Sequence, residues 1–309
     1  MPGVTRTPDA PPFGLLLDVD GPIASPVTRT VSAPGLLDSL LELLAAGVPV
    51  VFNTGRSDAF LRENVLAPLL ARGLPERARL HAVCEKGAVH FSVAPGGAGP
   101  LHVDADVAVP PAAVRALEDL ARRDFADTMF VDAGKHAMVS IEQRVEVPSA
   151  AYLEAQERYD AAALDVLAGL GLGAERRGVR RPDAAGRVDW RVDPTIISTD
   201  VESVLLGKDR GAATALRLLA QDGPLPRAWR TAGDSRTDYA MADWLHAQGH
   251  EVAHVDVRPA DGVPQTPYPV LASWRSVHDV AGAAWLARLA AVVRGEAEDD
   301  AGFDEHLAG

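Results

Sequence analysis

The order of short apolar runs and amphipathic stretches constrains this chain most. Phe13–Leu17 is an unbroken apolar run that ends in Asp18. A run this short and unalternating suits a parallel strand buried on both faces. After a loop rich in Pro and Ser, Pro34–Ala46 carries a helical pattern, with Pro near its start and Gly47 at its end. Val48–Phe52 reads as a second buried strand, closed by Asn53-Thr54-Gly55-Arg56. Ser57 can cap a helix that runs towards Ala71, and Arg79–Cys84 reads as a third strand. Strands and helices in this alternation predict a parallel sheet with helices on both faces.

The alternation then breaks. Ala94–Pro100 (APGGAGP) has the composition of a flexible linker. Beyond it the order becomes helix (Pro110–Asp124), strand (Thr128–Val131), strand (His136–Glu142), helix (Ser149–Leu170), strand (Glu175–Arg180) and strand (Gly186–Val192). Two helix-strand-strand units in a row imply a small α+β layer with one open sheet face. The first pattern resumes with a helix over Asp209–Gln221, strands at Ala228–Ala232 and Glu251–Val255, and helices over Asp238–Gln248 and Val277–Arg294. The expected architecture is a doubly wound, Rossmann-like α/β core built from residues 1–97 and 196–309, with an α+β domain inserted at 98–195. The tail from Gly295 carries Glu296, Glu298, Asp299, Asp300, Asp304 and Glu305 and is expected to be frayed and solvated.

With 309 residues the chain is long enough for a core domain and a smaller one. Its 30 Lys and Arg against 43 Asp and Glu leave a net charge of −13. That charge repels nucleic acid and anionic membrane on average, so neither is an expected partner, and an anionic substrate requires a local positive site. Cys84 is the single cysteine, so no intramolecular disulfide is possible, and a small buried hydrophobe is its expected role. The stretch MPGVTRTPDAPPFG does not read as a signal peptide, and no run of about 18 uncharged apolar residues occurs. The cytoplasm is the default expectation.

Four short motifs fall at the carboxyl ends of expected core strands or at the following helix start, where open α/β sheets bind ligands. In Asp18-Val19-Asp20-Gly21, two carboxylates flank one residue and project into one crevice. Clustered carboxylates need a cation or a proton to offset their repulsion, and a hard divalent cation such as Mg²⁺ suits oxygen ligands. A turn or surface pair is the plain alternative. Thr54-Gly55-Arg56 offers a hydroxyl and backbone N–H groups to a phosphate, or simply makes a turn. Lys208 opens its helix, where a cation is mildly unfavourable unless it points at anions. Gly233-Asp234-Ser235-Arg236-Thr237-Asp238 sets two more acids at a strand end, where Asp238 can equally be only a helix cap.

As an ordered set, these motifs resemble those of the haloacid dehalogenase superfamily. The resemblance covers about 10–92 and 197–290, and Glu85-Lys86-Gly87-Ala88 adds to it. The inserted domain is similar to the class IIB cap of Cof-type sugar phosphatases, trehalose-phosphate phosphatases and phosphomannomutases. The resemblance implies a nucleophile at Asp18, which becomes an aspartyl phosphate, and a general acid/base at Asp20. It implies that Thr54, Gly55 and Lys208 hold the phosphoryl group. Asp18, the backbone carbonyl of Asp20 and Asp234 would bind Mg²⁺, with Asp238 supporting them. The implied activity is hydrolysis of a small phosphorylated metabolite, with a mutase or a non-catalytic phosphosugar-binding protein as rivals. Pro22 stands where these families usually have Thr, and altered loop geometry is the expected consequence. Arg56, Glu85, Lys86, Lys135 and His136 are further candidates for substrate contacts, the last two in a turn of the inserted domain. The cluster Arg176, Arg177, Arg180 and Arg181 reads as a solvated face or as a patch that steers an anion. Sequence leaves the physiological substrate and the oligomeric state open.

Overall fold

The computed structural model describes residues 11–273, 275–301 and 303. Asp304 and Glu305, and the first ten residues of the N-terminal stretch, lie outside the described residues. The chain forms two compact units, one made of residues 1–102 with 207–309 and the other of 103–206.

The first unit begins with β1 (Gly14–Leu17), α1 (Leu36–Ala45) and β2 (Val50–Asn53). Then α2 (Asp58–Leu61) passes through a π-helical turn at Arg62–Leu66 into α3 (Ala67–Ala71), and β3 (Leu80–Cys84) follows. Ser57 caps α2 as expected, its hydroxyl accepting the Phe60 N–H. The expected linker at Ala94–Pro100 is instead part of a hairpin: β4 (Val89–Ala94) turns at Pro95-Gly96 into β5 (Gly97–Ala98), with Ala94 paired to Gly97. Pro-Gly satisfies the dihedrals of a tight turn as well as it satisfies those of a linker, so composition alone does not separate the two. A two-residue strand, β6 (His102–Val103), leads out.

The second unit holds α4 (Pro111–Asp124), β7 (Met129–Val131), β8 (Val139–Gln143), α5 (Ser149–Gly169), β9 (Ala174–Arg176), β10 (Val179–Arg181), β11 (Trp190–Pro194) and β12 (Ser198–Ser203). Its sheet has the order β10-β9-β11-β12-β8-β7. One face is apolar, with Ile141, Val192 and Val201 packed under Leu117 of α4 and Tyr152, Tyr159 and Leu167 of α5. β12 pairs antiparallel with both β11 and β8, so this unit continues to Leu206 rather than stopping at 195. Its buried acid Asp160 accepts from Thr199 Oγ1 at 2.6 Å and from Arg176 Nε at 2.9 Å. The basic cluster is paired too: Arg176 and Arg177 meet Glu157, Arg180 meets Glu175, and Arg181 meets Asp165.

The chain returns to the first unit through α6 (Lys208–Asp222), β13 (Ala228–Gly233), α7 (Tyr239–Ala247), β14 (Glu251–Asp256), β15 (Val270–Ala272) and α8 (His278–Arg294). The sheet order is β15-β14-β13-β1-β2-β3-β4-β5, and every pairing from β15 to β3 is parallel. Both faces are covered. Leu16, Val51 and Val83 pack under α6 and α7, while Leu15, Leu17, Val50 and Phe52, of the opposite parity, are just as buried. From β1 the chain moves outward through β2 to β3, then returns to the other side of β1 at β13. This reversal of strand order opens a crevice at the carboxyl end of β1, the place where ligands bind such sheets.

The acidic tail is not frayed where it is described. Asp300 accepts from Arg230 Nε at 2.7 Å, and Phe303 is buried. Arg230 projects from β13 and supplies the anchor, which composition does not reveal. Among the described residues, no helix is long and apolar enough to cross a membrane.

Candidate active site

Asp18 follows β1, and its Oδ1 accepts from the Val19 N–H at 2.7 Å. The loop beyond it folds back on backbone bonds: the Ala24 N–H donates to Val19 O at 2.7 Å and the Gly21 N–H to Ala24 O at 3.0 Å. Pro22 has no N–H, yet no bond of this loop needs one. Its carbonyl instead lies against α8, where a Cβ on Gly282 would come within 1.9 Å of it. Pro22 thus packs its carbonyl against α8 while the loop closes on its own backbone bonds. Gly21 has φ +90°, and a Cβ there would sit 2.6 Å from the Asp234 Cβ. The two acid-bearing loops approach that closely.

Asp18, Asp234 and Asp238 each offer a carboxylate oxygen, and these lie within 4.8 Å of one another. Lys208, the first residue of α6, joins them: its Nζ is 2.8 Å from Asp18 Oδ1 and 2.5 Å from Asp238 Oδ1. Burial works against the ammonium, but Asp18 and Asp238 hold it above the ordinary lysine range. Asp238 is wholly buried, and its Oδ2 accepts from the Asp234 and Ser235 N–H groups and from Ser235 Oγ. That capping box and Lys208 keep Asp238 below the usual carboxylate range in spite of burial.

The other two acids are pushed the opposite way. Burial, and then Asp238, raise Asp18 well above the carboxylate range, with Lys208 acting against the rise. Burial and Asp238 push Asp234 up to about 6. Two carboxylates thus share one lysine with a third beside them, and Asp18 and Asp234 are short of positive charge. Hard oxygen donors in negative excess match the chemistry of Mg²⁺, so Asp18 and Asp234 fit as its holders, with Asp238 behind them.

Asp20 stands apart from this group. Arg56 holds its carboxylate through two bonds, Nε to Oδ2 at 2.8 Å and Nη2 to Oδ1 at 2.9 Å. The Arg56 guanidinium also lies over the Phe60 ring, 4.7 Å from its centroid. Thr54 is buried at the end of β2, and its Oγ1 accepts the Arg56 N–H at 3.1 Å. Gly55 lies under the Lys86 side chain. Glu85 and Lys86 both have left-handed backbones, φ 49° and 54°. Their N–H groups donate to Arg56 O and Thr54 O, and Lys86 O accepts from the Gly207 N–H, so this turn ties the Thr54 loop to the start of α6. The Glu85 side chain is completely buried there. Lys135 and His136 lie in the turn between β7 and β8 of the second unit.

Two contributors went unrecognised in the sequence. Asn53 Nδ2 donates to Lys208 O at 2.8 Å, which fixes the first turn of α6 and hence the lysine. An amide closing an otherwise apolar strand was the available signal. His278, which opens α8, brings its Nδ1 to 3.7 Å from Asp234 Oδ2. Nothing in Val277-His278-Asp279 signals that approach.

No protein-family model matches the sequence, and no curated protein matches it. Similarity appears among solved structures. The C-terminal domain of Candida albicans trehalose-6-phosphate phosphatase superposes with a TM-score of 0.57 at 14% identity, over 94% of this chain and 94% of that one. A haloacid dehalogenase-like hydrolase from Bacteroides thetaiotaomicron gives 0.56 at 12% identity, over 90% and 99%. A trehalose-6-phosphate phosphatase related protein gives 0.53 at 14% identity, over 92% and 100%. At such identities the likeness speaks to architecture: the chain has the haloacid dehalogenase fold, an α/β core interrupted by a second, α+β unit.

Proposed function

We propose that this chain is a magnesium-dependent phosphomonoester hydrolase that works through an aspartyl phosphate on Asp18. The observation that carries the reading is the group of buried Asp18 and Asp238, paired with Lys208, and half-buried Asp234 at the switch point of the sheet. Asp18 Oδ1 is engaged by the Val19 N–H and Lys208, which leaves Oδ2 to attack phosphorus. The bond from phosphorus to the leaving alcohol breaks, and Asp20 gives that alcohol a proton. In the second half Asp20 takes a proton from water, the water oxygen bonds to phosphorus, and Asp18 departs as a carboxylate with inorganic phosphate released.

Thr54 Oγ1, the Gly55 N–H and Lys208 bind the phosphoryl oxygens as charge builds on them. When bound at Asp18 and Asp234, Mg²⁺ supplies the positive charge that this acid group lacks. Asp20 acts only after Arg56 lets go of it, and the phosphate of an incoming substrate is the natural second partner for the guanidinium. The substrate class we favour is a small sugar phosphate, following the fold shared with trehalose-6-phosphate phosphatases. The net charge of −13 argues against nucleic acid, and the single buried Cys84 suits the cytoplasm.

A panel of phosphorylated metabolites, assayed for phosphate release with Mg²⁺ or with chelator, tests the proposal. Release that requires the cation and disappears in Asp18→Asn is expected. Release that ignores chelation or survives in Asp18→Asn refutes it. An isomerised sugar phosphate without free phosphate identifies a mutase instead.

A further inference from the structure

His278 carries two unfavourable features at once. It is the first residue of α8, yet its φ is +54°, in the left-handed region that a β-carbon disfavours. Its Nδ1 is buried and has no hydrogen-bond partner among the described residues. A glycine or asparagine at this position would remove or lessen the backbone strain, and neither is present.

The backbone around His278 holds this conformation firmly. The His278 N–H donates to Val257 O at 2.9 Å, and the Val257 N–H donates to Gly233 O at 3.0 Å. The strained turn is thereby fixed to the ends of β14 and β13, immediately beside Asp234. Nδ1 lies 3.7 Å from Asp234 Oδ2, too far for a hydrogen bond and close enough for one small movement to make it. The charged neighbours are already engaged: Asp279 accepts from Ser32 Oγ at 3.1 Å, and Arg258 pairs with Asp261 at 2.7 Å. Asp234 is thus the acid that the imidazole is placed to meet.

We infer that His278 is a positioning residue for Asp234, holding that carboxylate in the orientation in which it takes up the divalent cation. The imidazole itself is not the ligand, because a hard cation of the Mg²⁺ class favours the oxygens of Asp18 and Asp234. An imidazole behind a ligating carboxylate fixes which oxygen turns to the metal, and removing such a partner lowers affinity by about 10–100-fold. The inference rests on the proposed cation site.

Direct Mn²⁺ titration of the full chain by calorimetry or electron paramagnetic resonance, beside thermal unfolding without metal, tests it. His278→Gly should unfold no earlier than wild type, because backbone strain is relieved, yet bind Mn²⁺ about tenfold more weakly. His278→Asn, which tolerates the left-handed turn and keeps a side-chain donor, should fall between the two. Mn²⁺ affinity equal to wild type in both variants overturns the inference, and so does a loss of stability with affinity unchanged. Should His278→Gly not fold, the asparagine variant alone decides, with wild-type affinity counting against the role. Wild-type protein that takes up no Mn²⁺ overturns the cation site and this role together, an outcome distinct from the others.

Discussion

Both units bury acids, and they treat them differently. In the second unit Asp160 is met on both oxygens, by the Thr199 hydroxyl and by Arg176, whose guanidinium also reaches Glu157. Ser140 Oγ likewise donates to Asp200 at 2.6 Å, and Gln156 gives its amide to Tyr152 and to two backbone carbonyls. Burial raises Asp160 as it raises Asp18 and Asp234, but at the carboxyl end of β1 Asp18 and Asp238 share the one Lys208 with Asp234 beside them, and each of Asp18 and Asp234 is raised further by Asp238. A buried polar group that is fully paired serves the fold. One left in charge deficit marks a place where something else is meant to bind.

That contrast can be broken by substitution. Asp18→Asn should reduce phosphate release by at least about a thousandfold, since the proposed attacking carboxylate is gone. Without cation, the same variant should unfold no earlier than wild type, because it lowers the repulsion among the acids. Activity assays and calorimetry together check both halves. Lys208→Met should do harm of a different sort: Asp18 and Asp238 lose their shared cation, and stability should fall by about 3–5 kcal/mol by denaturant unfolding.

Acid titration sharpens the contrast further. Buried His254 donates to or accepts from Thr231 Oγ1 at 2.7 Å, and burial lowers its pKa to about 4. A folded-state pKa below the unfolded value means that the unfolded chain gains the proton first. Stability from this histidine is therefore complete above pH ~6.5 and is lost towards pH 4, by about 3 kcal/mol in total. Asp234 has the opposite sign: its raised folded value adds stability as pH falls through about 6. Asp18, raised in the same direction, adds to this, so wild type without cation should show little net loss between pH 6.5 and 4. Asp234→Asn should show a steeper one, and unfolding free energies across that window decide it.

The smallest effect belongs to the paired acid. Asp160→Asn keeps a partner for Thr199 but leaves Arg176 with Glu157 alone, so about 1–2 kcal/mol of stability should go with phosphate release unchanged. A variant in the second unit that gained stability on losing its acid would erase the distinction between the two regions.

The gathering of acids at the carboxyl end of β1 was largely legible in the sequence. Asp18, Thr54, Lys208, Asp234 and Asp238 each close an apolar run or open a helix, and parallel strands bring such positions together whatever the intervening chain does. A cation at a helix start needs a reason, and the anions that Lys208 meets are Asp18 and Asp238. β12 was overlooked because Ser198–Ser203 (STDVES) holds a single apolar residue, Val201, and its acids pair within the sheet rather than facing water. The tail was misjudged because Arg230, seventy residues earlier, decides the environment of Asp300. The role of His278 could not be read, since its left-handed backbone is imposed by Val257 and Gly233 rather than by its neighbours in sequence. The Arg56–Asp20 pair was equally hidden: both residues were singled out, but only geometry joins them.

The central claim is that Asp18 carries the phosphoryl group. Asp20→Asn protein, supplied with substrate and Mg²⁺ and then quenched in acid, exposes the intermediate to peptide mass spectrometry, because water attack is slowed once its base is gone. The account predicts a phosphoryl adduct of about 80 Da on the peptide containing Asp18 that disappears in the Asp18→Asn, Asp20→Asn double variant. Turnover by wild type with no adduct on that peptide in the trapped variant, or an adduct on another residue, would contradict it.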